Sequence, residues 1–173
     1  MMLRIGSLEI QKVAALDIDQ SYEPLGGESI FRAVYGLGLK QTTWRKTRIN
    51  TSGSGWIPAG LESLDTTVQH VLSCIVPRCV PASLLTRQAL LPAARRTDAG
   101  HLPWGIAILA DGSPVVTGIS VSASHIATID KVAGAVAYQA MYMPEFTVWV
   151  SRPTDSGTPG DAGYAWQLVA EEV

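Results

Sequence analysis

Residues 164–171 read Tyr164-Ala165-Trp166-Gln167-Leu168-Val169-Ala170-Glu171. Tyr, Trp, Leu and Ala occupy every second position of this stretch, and Ala, Gln, Val and Glu stand between them. Because successive side chains of a β-strand point to opposite faces, this alternation predicts a strand that buries one face and exposes the other. A period of two rather than 3.6 indicates a mainly β protein.

The same period recurs elsewhere in the chain. Residues 136–142 alternate in the same way, and residues 146–150 are rich in strand-forming side chains. Residues 40–51 are predicted to form a long polar strand and residues 68–76 a buried one. Only residues 63–72 or 81–89 could supply a short helix.

Turn residues predict how the strands connect. We expect one hairpin from 106–109 and 115–116 across Asp111-Gly112, and a second from 119–123 and 126–129 across Ser124-His125. Asp-Gly suits a type I′ turn because it tolerates positive φ. The glycine-rich residues 53–55 and 156–163 are predicted to be loops.

The spacing of the strands changes along the chain and predicts two domains. Residues 101–142 consist of short strands joined by tight turns, whereas residues 143–173 return to longer aromatic strands like those near Trp44 and Trp56. We therefore expect a β domain formed by residues 1–100 and 143–173. Residues 101–142 would form a small β subdomain inserted into it.

Composition excludes several classes of protein. The chain has 173 residues, of which 47% are hydrophobic and 16% are charged, and its formal net charge is −2. This charge argues against a basic nucleic-acid binder, and no apolar run approaches the ~20 residues of a membrane span. The first residues lack the apolar stretch of a signal peptide. We expect a soluble, oligomeric protein of the cytoplasm.

The sequence carries no motif for catalysis or cofactor binding. It has no nucleophile elbow, no phosphate-binding loop and no zinc-binding cysteine pairing. Cys74 and Cys79 are wrongly spaced for a metal or redox pair, and the three histidines lie far apart. We therefore expect no enzymatic activity and no metal, nucleotide or other cofactor.

Charge is unevenly distributed along the chain. Residues 40–96 hold eight Lys and Arg side chains against two carboxylates, and residues 97–173 hold eight carboxylates against two cations. One interpretation is scatter over a folded surface. The other is a subunit whose basic part meets the acidic part of a neighbour, as head-to-tail rings require.

Residues 43–65 have an unusual texture, reading Thr-Trp-Arg-Lys-Thr-Arg-Ile-Asn-Thr-Ser-Gly-Ser-Gly-Trp-Ile-Pro-Ala-Gly-Leu-Glu-Ser-Leu-Asp. A predicted basic strand is followed by a glycine-rich turn, then by a turn that contains an aromatic residue and a proline, and then by a short apolar stretch. This segment, together with residues 3–10 and 164–172, resembles small tail and baseplate proteins of long-tailed bacteriophages, such as distal tail proteins. We expect residues 43–65 to pack beside strand 164–170.

The resemblance implies a tail-tube-type β-sandwich that forms a ring at the tail tip or baseplate and joins the tail tube to the adsorption apparatus. Residues 101–142 would decorate the outside of the ring. Implied partners are further copies of the chain and the tail tube, hub and tape-measure proteins, with assembly in the host cytoplasm. The candidate assembly interface is Trp44, Arg45, Lys46, Arg48 and Trp56.

Two alternatives stay open at the level of the sequence. A tail terminator or head–tail connector ring would reuse the same sandwich. A carbohydrate- or receptor-binding β module would instead be a monomer, with exposed tryptophans clustered on one face.

Overall fold

The computed structural model describes residues 2–11, 17–56, 59–158 and 163–173. Within those ranges the chain forms fifteen strands and one short 3-10 turn, and no α-helix, so the mainly β prediction is confirmed. The strands are β1 (Met2–Ile5), β2 (Leu8–Gln11), β3 (Asp17–Arg32), β4 (Gly38–Gly55), β5 (His70–Ser73), β6 (Arg78–Ala82), β7 (Gln88–Leu90), β8 (Trp104–Leu109), β9 (Pro114–Thr117), β10 (Ile119–Val121), β11 (Ile126–Ile129), β12 (Ala135–Tyr142), β13 (Glu145–Val150), β14 (Thr154–Thr158) and β15 (Gly163–Glu172). The 3-10 turn spans Leu61–Ser63.

Contacts divide the chain into two compact units. The body unit comprises residues 2–72 and 147–173, and the inserted unit comprises residues 73–146. The inserted unit therefore begins at Ser73 rather than near residue 100. The reason is strand pairing, because β6 pairs with β12 and β7 pairs with β11. These partners draw residues 73–100 into the inserted unit.

The body unit is built on one eight-stranded sheet. Its strand order is β2-β1-β5-β13-β15-β4-β3, and β14 also pairs with β15. The alternation predicted for β15 is confirmed, since Trp166, Leu168 and Ala170 are buried while Ala165 and Gln167 are exposed. The register places Ile18, Ile49, Val148 and Val150 on this buried face, and Leu3, Ile5 and Leu72 of the same sheet are also buried.

The inserted unit contains two smaller sheets, with strand orders β6-β12-β8-β9 and β10-β11-β7. Their buried side chains form one cluster that includes Ala107, Ile129, Tyr138 and Tyr142. Both predicted hairpins are present, as β8–β9 and β10–β11. The type I′ assignment is wrong, because Gly112 has a positive φ of 84° but Asp111 is not among the described residues with positive φ.

The two helix predictions are wrong. Residues 63–72 lead from the 3-10 turn into β5, and residues 81–89 contain the end of β6, a turn and most of β7. Val71, Leu72, Ala82 and Ala89 belong to short strands paired in sheets, whereas Leu84 and Leu85 lie in the turn between β6 and β7. The buried strand predicted over residues 68–76 is shorter than expected and spans only His70–Ser73.

Neither of the two predicted loops is a loop where the structure describes it. Residues 53–55 are not a loop, because β4 runs through them opposite Tyr164, Ala165 and Trp166 of β15. Residues 156–158 belong to β14, and residues 159–162 lie outside the described residues. The predicted packing of segment 43–65 beside 164–170 is confirmed for residues 48–55, which pair with β15, whereas residues 57 and 58 are not described.

Gly53 is required by close contact rather than by a turn. A Cβ atom at this position would lie 2.5 Å from Cζ2 and 2.6 Å from Cε2 of Trp166. The Trp166 indole therefore lies directly over the bare backbone of Gly53. Within the described residues its N–H has no hydrogen-bond partner.

We predict that Gly53→Ala lowers the free energy of unfolding by ~1–3 kcal/mol, because the added methyl group overpacks a buried ring. Gly163→Ala is the matched control on β15, where a Cβ atom would meet nothing within 4 Å. Urea denaturation measures both variants. Equal stability of the two would contradict this account of the Gly53–Trp166 contact.

Candidate assembly surface

The body sheet extends into a two-stranded arm. Strand β15 pairs with β4 only between Arg48 and Gly55, whereas β3 pairs with β4 along its whole length. Among the described residues no third strand pairs with the hairpin of residues 25–46, which we call the arm. Its β3 strand, residues 25–32, spans ~25 Å at the usual rise of a strand.

A short turn closes the arm at its tip. The Gly36 N–H donates to the Ala33 carbonyl at 2.8 Å, and the Ala33 N–H donates to the Leu37 carbonyl at 2.9 Å. Gly36 has a φ of 79°, which L side chains rarely adopt, so a glycine is required here. Gly36 thus serves the turn at the tip of the arm.

The strand register gives the arm two different faces. On one face lie Leu25, Phe31, Leu39 and Trp44, with Lys46 at its base, since Leu25 is opposite Lys46, Gly27 opposite Trp44 and Phe31 opposite Leu39. On the other face lie Glu28, Ile30, Arg32, Lys40 and Arg45. We call these the apolar face and the charged face.

A β-bulge separates the base of the arm from its tip. The register shifts between Gly27 and Glu28, so that Thr43 has no partner residue of its own on β3. The Thr43 hydroxyl donates to the Gly27 carbonyl at 2.9 Å, and the Trp44 indole lies against Gly27. Bulges of this kind bend and twist a ribbon.

Large apolar side chains at the tip are open to solvent. Val34 is 96% exposed and Tyr35 is 98% exposed, and Ile30, Phe31, Leu37 and Leu39 are each more than half exposed. A two-stranded ribbon is only marginally stable in water, and contiguous exposed apolar patches mark interaction sites. The arm therefore has the character of a surface that another molecule covers.

The structure places the five predicted interface residues along one strand, but not in one cluster. Trp44 and Arg45 lie on the arm, Lys46 and Arg48 lie at its base, and Trp56 follows the opposite end of β4. Trp44 and Trp56 are about half exposed. Twelve residues of extended chain put them ~40 Å apart, so Trp56 belongs to a different surface.

The basic residues at the base of the arm have partners within the body unit. Arg48 makes two hydrogen bonds to the Glu171 carboxylate, at 2.8 and 3.0 Å. The Lys46 ammonium contacts the Val173 backbone carbonyl, and the Glu172 carboxylate accepts a hydrogen bond from the Thr47 N–H at 2.9 Å. Of the predicted cations, Arg45 is therefore the one most open to a partner.

The interface prediction missed the tip of the arm. The apolar residues at the tip of the arm show no regular alternation in the sequence. They are Ile30, Phe31, Val34, Tyr35, Leu37 and Leu39. The available signal was Tyr35-Gly36 between two stretches of similar length. A glycine turn flanked by potential strands indicates a hairpin.

A polar cluster in the inserted unit is structural in character. Arg96 is 1% exposed and donates to both Asp98 carboxylate oxygens, at 2.9 and 2.7 Å, and to the Cys74 carbonyl at 3.1 Å. His101 Nδ1 lies 2.8 Å from Asp98 Oδ2. Every polar end of the buried guanidinium thus reaches a protein oxygen or nitrogen. Arg96 joins residues 74, 98 and 101 instead of facing a cleft.

These contacts predict a stability that depends on pH. Hydrogen bonds from Arg96 hold the pKa of Asp98 well below its ordinary value. A carboxyl group whose pKa is lowered by folding stabilises the protein above its unfolded pKa of about 3.9 and loses that contribution as the pH falls. The free energy of unfolding should therefore decline between pH 5 and pH 2.5.

We predict that Asp98→Asn reduces this decline and costs about 1.5 kcal/mol at pH 7, the low end for hydrogen bonds to charged groups because Asp98 is partly exposed. The control is Asp130→Asn, at an exposed carboxylate of the same unit. Denaturant unfolding across this pH range measures both. A slope in Asp98→Asn as steep as that of the wild type would contradict the assignment.

The described residues contain no group of three or more His, Cys, Asp or Glu side chains that could hold a metal ion. In the same part of the chain, no helix has the length and apolar character needed to cross a membrane. No protein-family profile, curated protein or solved structure matched the chain.

Proposed function

We propose that this protein is a structural, ring-forming subunit of the tail tip or baseplate of a long-tailed bacteriophage. In this role it joins the tail tube to the adsorption apparatus. Its partners are further copies of itself and the tail tube, hub and tape-measure proteins. It assembles in the host cytoplasm and resides in the virion tail.

One observation carries the proposal. The arm presents an apolar face along residues 25–44 and an apolar tip at residues 33–37, and no strand in the described part of the chain pairs beside it. Leaving this surface in water is unfavourable by ~25 cal/mol for each Å² of apolar area. A subunit that is always assembled covers the arm with its neighbours, whereas a free monomer cannot.

Two further features support the proposal. The β1–β2, β13–β15, β14–β15, β15–β4 and β3–β4 pairs of the body sheet are antiparallel, which is compatible with a tail-tube-type β-sandwich. Two of the three resembling segments also pair with each other, from Arg48 opposite Glu171 to Gly55 opposite Tyr164. The sequence also shows no catalytic motif. A tail terminator or head–tail connector ring would use the same features, and the position of the protein in the particle separates these roles.

A receptor- or carbohydrate-binding module is the second candidate, favoured by Trp44 and Trp149. Both are about half exposed and lie on the same face of the body sheet. Trp149 lies two strands away from β4 and is level with Arg48, four residues along the strand from Trp44. The two side chains are therefore about 16 Å apart, which is too far for both to stack on one sugar ring. This separation favours the structural proposal.

The test replaces the tip side chains. We predict that the triple variant Val34→Ser, Tyr35→Ser and Leu37→Ser weakens self-association about 100-fold, since burying even half of each side chain is worth about 1 kcal/mol. Its thermal stability should hold, because all three side chains are exposed. Native mass spectrometry and light scattering measure the assembly.

The matched control is Leu84→Ser with Leu85→Ser, two exposed leucines of a turn in the inserted unit. It should assemble like the wild type. A wild-type chain that stays monomeric at ~100 μM and binds glycans would refute the proposal and favour the receptor-binding module. Electron microscopy of the assembled wild type then gives the ring symmetry.

A further inference from the structure

The arm carries more positive charge than its own residues neutralise. Its four cations are Arg32, Lys40, Arg45 and Lys46, and Glu28 is its one carboxylate. Glu28 lies 2.6 Å from Lys40 and 3.4 Å from Arg45, so a single carboxylate serves two cations. Arg32 donates to the Gly36 carbonyl, which carries no charge. The charged face therefore keeps a positive surplus.

A groove at the other end of the same strands has the opposite charge. It encloses about 440 Å³ on the body sheet, and the small side chains of Ser52, Ser54 and Ala165 line it. Asp17, Asp19 and Asp155 also line it. Within the described ranges no Lys, Arg or His side chain lies within ion-pair distance of these three carboxylates.

The arm cannot reach the groove of its own chain. Asp19 and Glu28 both belong to β3 and are nine residues apart, which is ~30 Å of extended strand. Strand β3 is paired with β4 throughout, so the ribbon cannot fold back on itself without breaking that ladder. The positive end and the negative end of one ribbon can meet only between different molecules.

We infer that the charged face of the arm docks in the acidic groove of a second copy of this chain. Arg32, Lys40 and Arg45 of one copy face Asp17, Asp19 and Asp155 of the next. The apolar face stays available for the remaining contacts of the assembly. The inference rests on the proposed function, because it assumes the self-association proposed there. It adds which surface of the neighbouring copy the arm contacts.

Opposite charge at the two ends of one ribbon gives the association a direction. A head-to-tail contact between different surfaces closes into a ring or continues as a filament, according to the rotation between subunits. Complementary charge raises the association rate and excludes wrong orientations more than it adds affinity. Salt should weaken the contact, since at 0.15 M exposed charges are screened beyond about 8 Å.

The experiment inverts the charge of each surface in the full-length protein. The arm-reversed variant carries Arg32→Glu, Lys40→Glu, Arg45→Glu and Glu28→Lys, which keeps opposite charges beside each other on the arm. The groove-reversed variant carries Asp17→Lys, Asp19→Lys and Asp155→Lys. Light scattering and sedimentation measure association in 50 mM and 500 mM NaCl, and circular dichroism measures the melting temperature.

We expect each variant alone to associate at least tenfold more weakly than the wild type, because several exposed ion pairs become repulsive. Mixing the two variants, or combining both sets of changes in one chain, should restore association. Glu62→Lys with Lys131→Glu is the control for charge changes elsewhere, and it should leave assembly unchanged. If a reversed variant fails to fold, Asp17→Asn, Asp19→Asn and Asp155→Asn replace it, with a smaller loss expected.

Two results would overturn the inference. One is undiminished association of the reversed variants, and the other is weakened association that neither mixing nor combination restores. In both cases a self-associating wild type leaves the proposed function standing. A wild type that is monomeric at ~100 μM, by contrast, refutes the proposed function and removes the docking inference with it.

Discussion

The antiparallel pairing of β15 with β4 is the contact on which the rest of the structure depends. It joins residues more than one hundred positions apart and runs from Tyr164 opposite Gly55 to Glu171 opposite Arg48. Trp166 fits over this ladder only because Gly53 has no side chain. On its other side β15 pairs with β13 and β14, so one strand organises the centre of the body sheet. Closing so long a loop costs conformational entropy, which the buried face of β15 must offset.

The arm is a consequence of where that pairing ends. Beyond Arg48, β4 has only β3 as a neighbour, and the residues at the end of β15 bind the base of the ribbon through Glu171 and Glu172. Further out, the ribbon depends on its own ladder, the bulge at Gly27 and the ion pairs of Glu28. Exposed ion pairs of this kind are each worth ~0–1 kcal/mol. The isolated arm is therefore weakly stabilised, and a partner that covers it would add to its stability.

Folding also redistributes the charge gradient of the sequence. Arg48 and Arg96 belong to the basic part of the chain, yet Glu171 and Asp98 already neutralise them. Arg32, Lys40 and Arg45 remain on the arm, which has one carboxylate, while Asp17 and Asp19 lie at the far end of β3 and Asp155 lies on β14 beside the same groove. In the folded protein, positive and negative side chains are therefore separated along the length of β3 and β4. Counting charges over residues 40–96 and 97–173 indicates a polar subunit but not which side chains make it polar.

The amino-acid sequence by itself determined the strands whose side chains alternate, such as 164–171 and 136–142, because the pattern of a half-buried strand is local. It also determined both hairpins of the inserted unit and the packing of residues 48–55 beside the last strand. Tertiary structure alone decided the role of residues 53–55. Their glycine-rich sequence is typical of a loop, but they belong to β4, where Gly53 allows close contact with Trp166. Tertiary structure also decided the start of the inserted unit at Ser73 and the extent of the arm, since both depend on which strands find a third partner. Such partners are distant in sequence, and no local pattern of residues 25–46 records that β15 stops at their base.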